Sequence, residues 1–293
     1  MEETQQNITQ TIKETLNSIF SDLLSSIDNN LYSVLDEITF INIDVINDHY
    51  FQNIFGSTSS GILLISNALI IGIVIYYAIS LLMSYYSYTE VQKPSQFFFR
   101  MLIFTIIMNS SYFICEQIIS MNSNISIAVR QVGESILGKE ICFNSLITEL
   151  NKVIDIQGSS FNIFSTDGLL KSFISIGLLN LTFNYALRYI MLKVFILICP
   201  FAILCLINKN TIWFFKSWLR IMLSLLLIQI LISLILLIIF SINYSNNIFS
   251  KLLYIGGIYA LTKANQFMRD FIGGISTEIN SNFSNLRFFL GGK

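Results

Sequence analysis

Few side chains in this sequence combine in a way that could do chemistry. The single histidine, His49, has no second histidine in the chain, so histidine-based zinc sites and histidine–nucleophile catalysis are poorly supplied. The 4 cysteines (Cys115, Cys142, Cys199 and Cys205) form no Cys-x-x-Cys pair and no spaced metal set. Cys199 and Cys205 lie in apolar runs, where a thiol behaves as a small hydrophobe. No phosphate-binding Gly-x-x-x-x-Gly-Lys-Ser/Thr loop is present, and Gly138-Lys139-Glu140 does not make one. Paired carboxylates inside apolar stretches, which acid–base catalysis would need, are missing too. The residue types therefore point away from an enzyme and imply no cofactor or metal.

What remains are polar groups set in apolar surroundings. Asn109 falls in the middle of one hydrophobic run and Glu116 near its end, where each must face protein or a wet cavity rather than lipid. Arg188 and Lys193 interrupt another run. They can be read as basic side chains snorkelling to headgroups, or as the cationic lining of a path through a membrane. Between Pro200 and Arg220 the chain reads P-F-A-I-L-C-L-I-N-K-N-T-I-W-F-F-K-S-W-L-R. Trp213 and Trp218, its only tryptophans, interleave with Lys209, Lys216 and Arg220. An interfacial aromatic belt with positive anchors explains that pattern, and a stacking platform for nucleic acid is the sharper alternative.

These groups need a scaffold, and the composition says which kind. Of 293 residues, 54% are apolar and only 12% are charged, half the charged share of an ordinary soluble domain, which is about 25%. Mean hydropathy is +0.66. Too few charges exist to coat a water-facing surface, so the chain belongs in a bilayer. Its net charge of −1 excludes a generally basic, nucleic-acid-coating protein. The expected class is all-α: a polytopic helical membrane protein of about five spans, with an amphipathic amino-terminal helix and a helical extracytoplasmic loop.

Hydrophobic periodicity sets the order of elements. Apolar positions from Ile8 to Ile38 recur in steps of three and four, which predicts a helix whose other face is acidic, either continuous or broken in two at Asp28-Asn29-Asn30. The first 20 residues carry Glu2, Glu3 and Glu14 and no apolar core of a secretory signal. Residues 1–60 form this amino-terminal segment. Residues 61–119 supply two spans, the uncharged Gly61–Met83 and the more polar Phe97–Ile119. Residues 120–168 make a polar module with breakers at Gly138 and at residues 157–160. Residues 169–268 hold the rest. Leu169–Ile207 would reach about 58 Å as one straight helix, more than a bilayer with its headgroups, so it overshoots, bends at Pro200 or splits into two spans. Spans at Ile212–Ile242 and Leu252–Met268 follow, and residues 269–293 form a mixed tail.

Charge placement orients these spans. Residues 1–60 carry nine acids and one base, whereas residues 169–293 carry eleven bases and two acids. Positive-inside counting accepts either five or six spans. Arg188 to Lys193 contains no turn residue, which favours five, with the amino end outside and the carboxyl end inside. In the last span Gly256, Ala260 and Ala264 recur every four residues, a stripe that lets a helix approach closely; Ala68 and Gly72 make a shorter one.

The back half resembles a known family. The run L-R-Y-I-M-L-K-V-F-I-L-I-C-P-F-A, the segment N-K-N-T-I-W-F-F-K-S-W, the span L-L-L-I-Q-I-L-I-S-L-I-L-L and the closing K-L-L-Y-I-G-G-I-Y-A-L-T-K-A-N-Q-F-M-R-D-F-I-G-G look like the TrbL-type conjugal transfer proteins. These are polytopic membrane components of type IV secretion machines. The resemblance implies a bacterial cell membrane, an amino end outside, a cytoplasmic carboxyl end and a sizeable loop before the long helix. It further implies a conduit passing single-stranded DNA with attached protein, or protein cargo, beside other channel subunits and transfer ATPases, in a homo- or hetero-oligomer. Residues 120–168 are then expected to form the substrate-side module and Lys209–Arg220 the inner docking surface. The rival expectation is a permease subunit of a small-molecule or peptide exporter, built around Asn109, Glu116, Arg188 and Lys193.

Overall fold

The computed structural model describes residues 34–56, 60–87, 93–153, 166–242 and 248–272, with residues 11–12, 14–15 and 18–19 before them. Most of the predicted Ile8–Ile38 helix, the breaker at 157–160 and the tail beyond residue 272 lie outside the described residues. Most of the described residues are helical, and none forms a strand.

Residues 34–39 (α1) lead through a 3-10 turn, Ile43–Val45, to α2, His49–Phe55. Asp48 caps α2 by accepting from the Tyr50 amide at 3.1 Å. Gly56 and Gly61 then turn the chain into α3, Gly61–Ser87, both with positive φ. A Cβ on either would meet the other's backbone at 2.7 Å, so the turn requires glycine at both ends.

Next come α4, Pro94–Asn109, and α5, Ser111–Leu137, meeting at Ser110 with a 59° bend. The expected single span Phe97–Ile119 is therefore broken. The Asn109 side chain explains the break: its Nδ2 donates back to the Thr105 carbonyl at 2.9 Å and competes with the helix ladder where the two serines begin. Helix α5 also runs without interruption across residue 120 and ends where Gly138 adopts the left-handed conformation, φ 66. Helix α6, Phe143–Val153, follows.

Helix α7, Thr166–Leu204, is one continuous helix, so Leu169–Ile207 does not split into two. Pro200 is buried inside it, one turn before its end. A 3-10 turn, Lys209–Thr211, reverses the chain into α8, Ile212–Ser241, and α9, Ile248–Ile272, closes the described part.

Contacts fix the directions. Arg188 pairs with Leu225 and Phe195 with Trp218, so α7 and α8 are antiparallel. Gly177 meets Ile258 and Tyr185 meets Leu261, so α9 runs parallel to α7. Asn122 pairs with Gln229 and Ser126 with Ser233, so α5 runs parallel to α8. One apolar core joins the turn at residues 41–46, α2, α3, α4, the start of α5 and the facing ends of α7 and α8; a second joins α1, α6, the start of α7, the end of α8 and α9.

Three helical stretches are long and apolar enough to cross a membrane: Gly61–Ser87, Ser172–Leu204 and Lys209–Ser241. The bent pair α4–α5 makes a fourth if it counts as one span. Helix α9 does not reach that measure. Its buried positions carry Thr262 and Asn265, and Lys251 and Lys263 are half-buried on it.

Candidate functional site

The polar residues singled out by sequence separate into an interior set and a surface set. Arg188 leads the interior set. It lies midway along the stretch Ser172–Leu204 and is 0% exposed. Its Nε donates to the Leu225 carbonyl at 2.8 Å and its Nη1 to the Thr39 carbonyl at 3.1 Å, while Nη2 is buried without a hydrogen-bond partner. Arg188 therefore does not snorkel. It is a buried cation held by neutral carbonyls, and the sequence offers no Asp or Glu between Asp167 and Asp270 to neutralise it. A guanidinium in such a place carries a large desolvation cost that two carbonyls offset only in part.

Lys193, five residues on, goes elsewhere. Its ammonium lies 3.6 Å from the Asp48 carboxylate and within 5.6 Å of the ring centres of Phe51 and Tyr189. Both basic residues thus fasten the segment 34–55 onto α7. Tyr112 of α5 adds a third clasp, its hydroxyl donating to the Ile46 carbonyl at 3.2 Å. Arg130 adds a fourth, its guanidinium 4.1 Å from the centre of the Phe40 ring. Asp36 adds a fifth by accepting from the Phe143 and Asn144 amides at 2.8 and 3.2 Å, which caps α6 from a distant part of the chain. Burial pushes the Asp36 carboxyl above its ordinary range, against the opposing pull of those two amides and Arg130.

Between α5 and α8 runs a polar seam that hydrophobic periodicity does not reveal. Asn122 Nδ2 donates to Gln229 Oε1 at 3.3 Å, and one turn on the Ser126 and Ser233 hydroxyls lie 2.7 Å apart. All four side chains are buried. Its only trace in the sequence is the four-residue spacing of polar residues on both helices, which gains meaning from their pairing. Asn109 finds a similar partner in Asn67 of α3, their side-chain amides 3.2 Å apart, so it faces protein as its residue type required. Glu116 is half-buried one turn along α5 from Tyr112 and joins neither the seam nor Arg188 by hydrogen bond.

The surface set is the turn Lys209–Thr211 and the start of α8. Lys209, Trp213, Lys216 and Arg220 are exposed, Trp213 by 66%. Trp218 is not among them: it is 6% exposed and donates its indole N–H to the Phe195 carbonyl at 2.8 Å. The two tryptophans expected to act together therefore point to opposite sides of the helix. Pro200 is buried and presents nothing to a partner.

Within the chain the small-residue stripe of α9 is packed only in part. Gly256 faces open space, with nothing within 4 Å of a Cβ added there, and Ala260 is half-buried. Of the three, Ala264 alone is buried. The close approach belongs to Gly257, whose added Cβ would lie 2.6 Å from Ile239 Cγ1. Ala68 and Gly72 are likewise exposed.

Among the described residues no three His, Cys, Asp or Glu side chains gather as a metal site. The interior arrangement can hold a charge and align polar groups between helices; the surface arrangement can meet anions. No protein-family model matches the chain, and no curated protein matches it.

Proposed function

We propose that this chain is a non-catalytic structural subunit of a type IV secretion or conjugation channel in a bacterial cell membrane. It crosses five times, through α3, the bent pair α4–α5, α7, α8 and α9, with its amino end outside and its carboxyl end in the cytoplasm. It helps single-stranded DNA with bound protein, or protein cargo, leave the cell, driven by transfer ATPases and alongside other channel subunits. The observation that carries this reading is the polar lining between long apolar helices: the seam Asn122–Gln229 and Ser126–Ser233, with Arg188 buried beside α8. Polar side chains turned inward while apolar ones cover the outside suit helices that part and close around hydrated cargo. The parallel run of α5 and α8 supports the crossing order, because both then leave the cytoplasm in the same direction. Isolation of the chain from its own membranes in mild detergent tests the reading. Transfer ATPases and a coupling protein accompany it if the reading is right; a chain that emerges with none of them contradicts it.

A permease subunit of a small-molecule or peptide exporter is the second reading, favoured by the uncompensated Arg188 midway along a span. Uptake into liposomes holding the purified chain alone, lost in Arg188→Met, would promote it over the first.

A further inference from the structure

We propose that the exposed face at the start of α8 binds anionic phospholipid headgroups. Lys209, Lys216 and Arg220 meet the phosphates, and Trp213 lodges where headgroups give way to acyl chains. The surface requires only that α8 cross a bilayer, so it stands or falls apart from the channel reading.

Spacing makes the face. Trp213, Lys216 and Arg220 follow one another in steps of three and four, which keeps them on one side of α8, and Lys209 stands in the 3-10 turn just before it. All four are exposed, whereas Trp218 is turned inward. Beyond Arg220 the exposed side of the helix changes character within one turn: Leu223, Leu234 and Ile238 are its next exposed large side chains, and they are wholly apolar. An exposed helical face that passes from cations and an indole to unbroken aliphatics marks the level at which headgroups end and acyl chains begin.

Charge complementarity selects the lipid. No Asp or Glu occurs between Asp167 and Asp270, so neither α7 nor α8 carries a carboxylate along that stretch that could neutralise these cations. Direction helps as well. Side chains on a helix lean toward its amino end, which here carries the Lys216 and Arg220 heads back toward the headgroup level while their stems cover apolar surface. Each such cation adds to the attraction for an anionic membrane surface.

Trp213 is the reporter. The full-length chain and Trp213→Phe are placed in phosphatidylcholine vesicles containing a minority of phosphatidylglycerol, with the acyl chains of one lipid brominated near the headgroup. The difference in quenching between the two proteins isolates Trp213, since Trp218 is present in both and is buried in the parent. At equal mole fraction, brominated phosphatidylglycerol is expected to quench Trp213 about threefold or more above brominated phosphatidylcholine, a preference that added salt reduces. The combined variant Lys209→Gln, Lys216→Gln and Arg220→Gln, all at exposed positions, brings the ratio to about one if phosphates bind there. Equal quenching by both lipids in the parent chain overturns the proposal. So does quenching by neither lipid, joined to a fluorescence change on adding a single-stranded oligonucleotide or an acidic peptide, which would assign the face to nucleic acid or to an acidic protein.

Discussion

Arg188 and Leu225 are joined by a 2.8 Å hydrogen bond from the guanidinium Nε to a carbonyl within α8, in an interior where the arginine is 0% exposed. The same guanidinium reaches the Thr39 carbonyl, so one side chain ties three segments of the chain together. A cation is an expensive way to do that, because neutral carbonyls do not repay its desolvation and Nη2 stays without a partner.

Stability and charge can therefore be separated at this position. Arg188→Met keeps most of the volume and discards the buried charge, and is expected to unfold within about 1.5 kcal/mol of the parent, or to exceed it. Arg188→Ala also leaves a cavity and is expected to lose about 2–5 kcal/mol, as large-to-alanine changes in packed interiors do. Denaturation in detergent micelles measures both. A Met variant that loses as much as the Ala variant would show that the charged contacts themselves hold the fold.

The seam between α5 and α8 predicts a coupling. Asn122→Leu strands Gln229, which is 1% exposed, and is expected to cost about 1–3 kcal/mol. Adding Gln229→Leu removes the stranded group and returns most of that loss. The cycle is expected to give an interaction of about 0.6–2 kcal/mol, the range found for hydrogen bonds between membrane helices. Single losses that simply add in the double variant would mean the two amides do not pair.

Two neighbouring glycines of α9 are predicted to behave differently. Gly257→Ala drives a methyl into Ile239, a β-branched side chain with one favoured rotamer in a helix, and is expected to cost about 1–3 kcal/mol. Gly256→Ala meets nothing and is expected to be neutral or to stabilise by up to about 1 kcal/mol through helix propensity. Melting curves of the two variants side by side decide it; equal effects would place α9 in another rotation.

Asp36 makes the docking of α1 on α6 depend on pH. Its carboxyl is raised above the ordinary value of 3.8 by burial, so the folded state favours the protonated form. That stabilising contribution is present below about pH 3.8 and is lost as pH rises through the folded-state titration. Asp36→Asn cannot ionise. The stability of the parent relative to this variant is accordingly expected to fall as pH rises through that window, read from denaturation midpoints at a series of pH values. A difference that stays flat, or rises with pH, contradicts the raised carboxyl.

Local chemistry makes much of this fold readable. The charge-free run at Gly61–Met83, the stop at Gly138 and the absence of any turn residue between Arg188 and Lys193 each foretell a helix, an end or a continuation that the structure contains. What stays hidden depends on partners distant in sequence. Ser110 breaks a span because Asn109 bonds backward to Thr105 and across to Asn67, and an apolar run does not show which competing bond wins. Arg188 neither snorkels nor lines an open path, because Thr39, well over a hundred residues earlier, covers it. Gly256 stands out over Gly257 in the sequence because a four-residue spacing defines a stripe but not which way it turns. Trp218 is a different case, since its inward turn is legible from spacing. It stands two residues past Lys216 and five past Trp213, on the far side of the helix from the step-of-four, step-of-three series, and that arithmetic alone separates the two tryptophans.

The channel reading is tested most directly by deleting the coding sequence in frame from its genetic element and counting transfer of that element's DNA to recipient cells. Transfer is predicted to fall to background and to return when the intact chain is supplied from a second site. Transfer at the parental level without the chain would contradict the account.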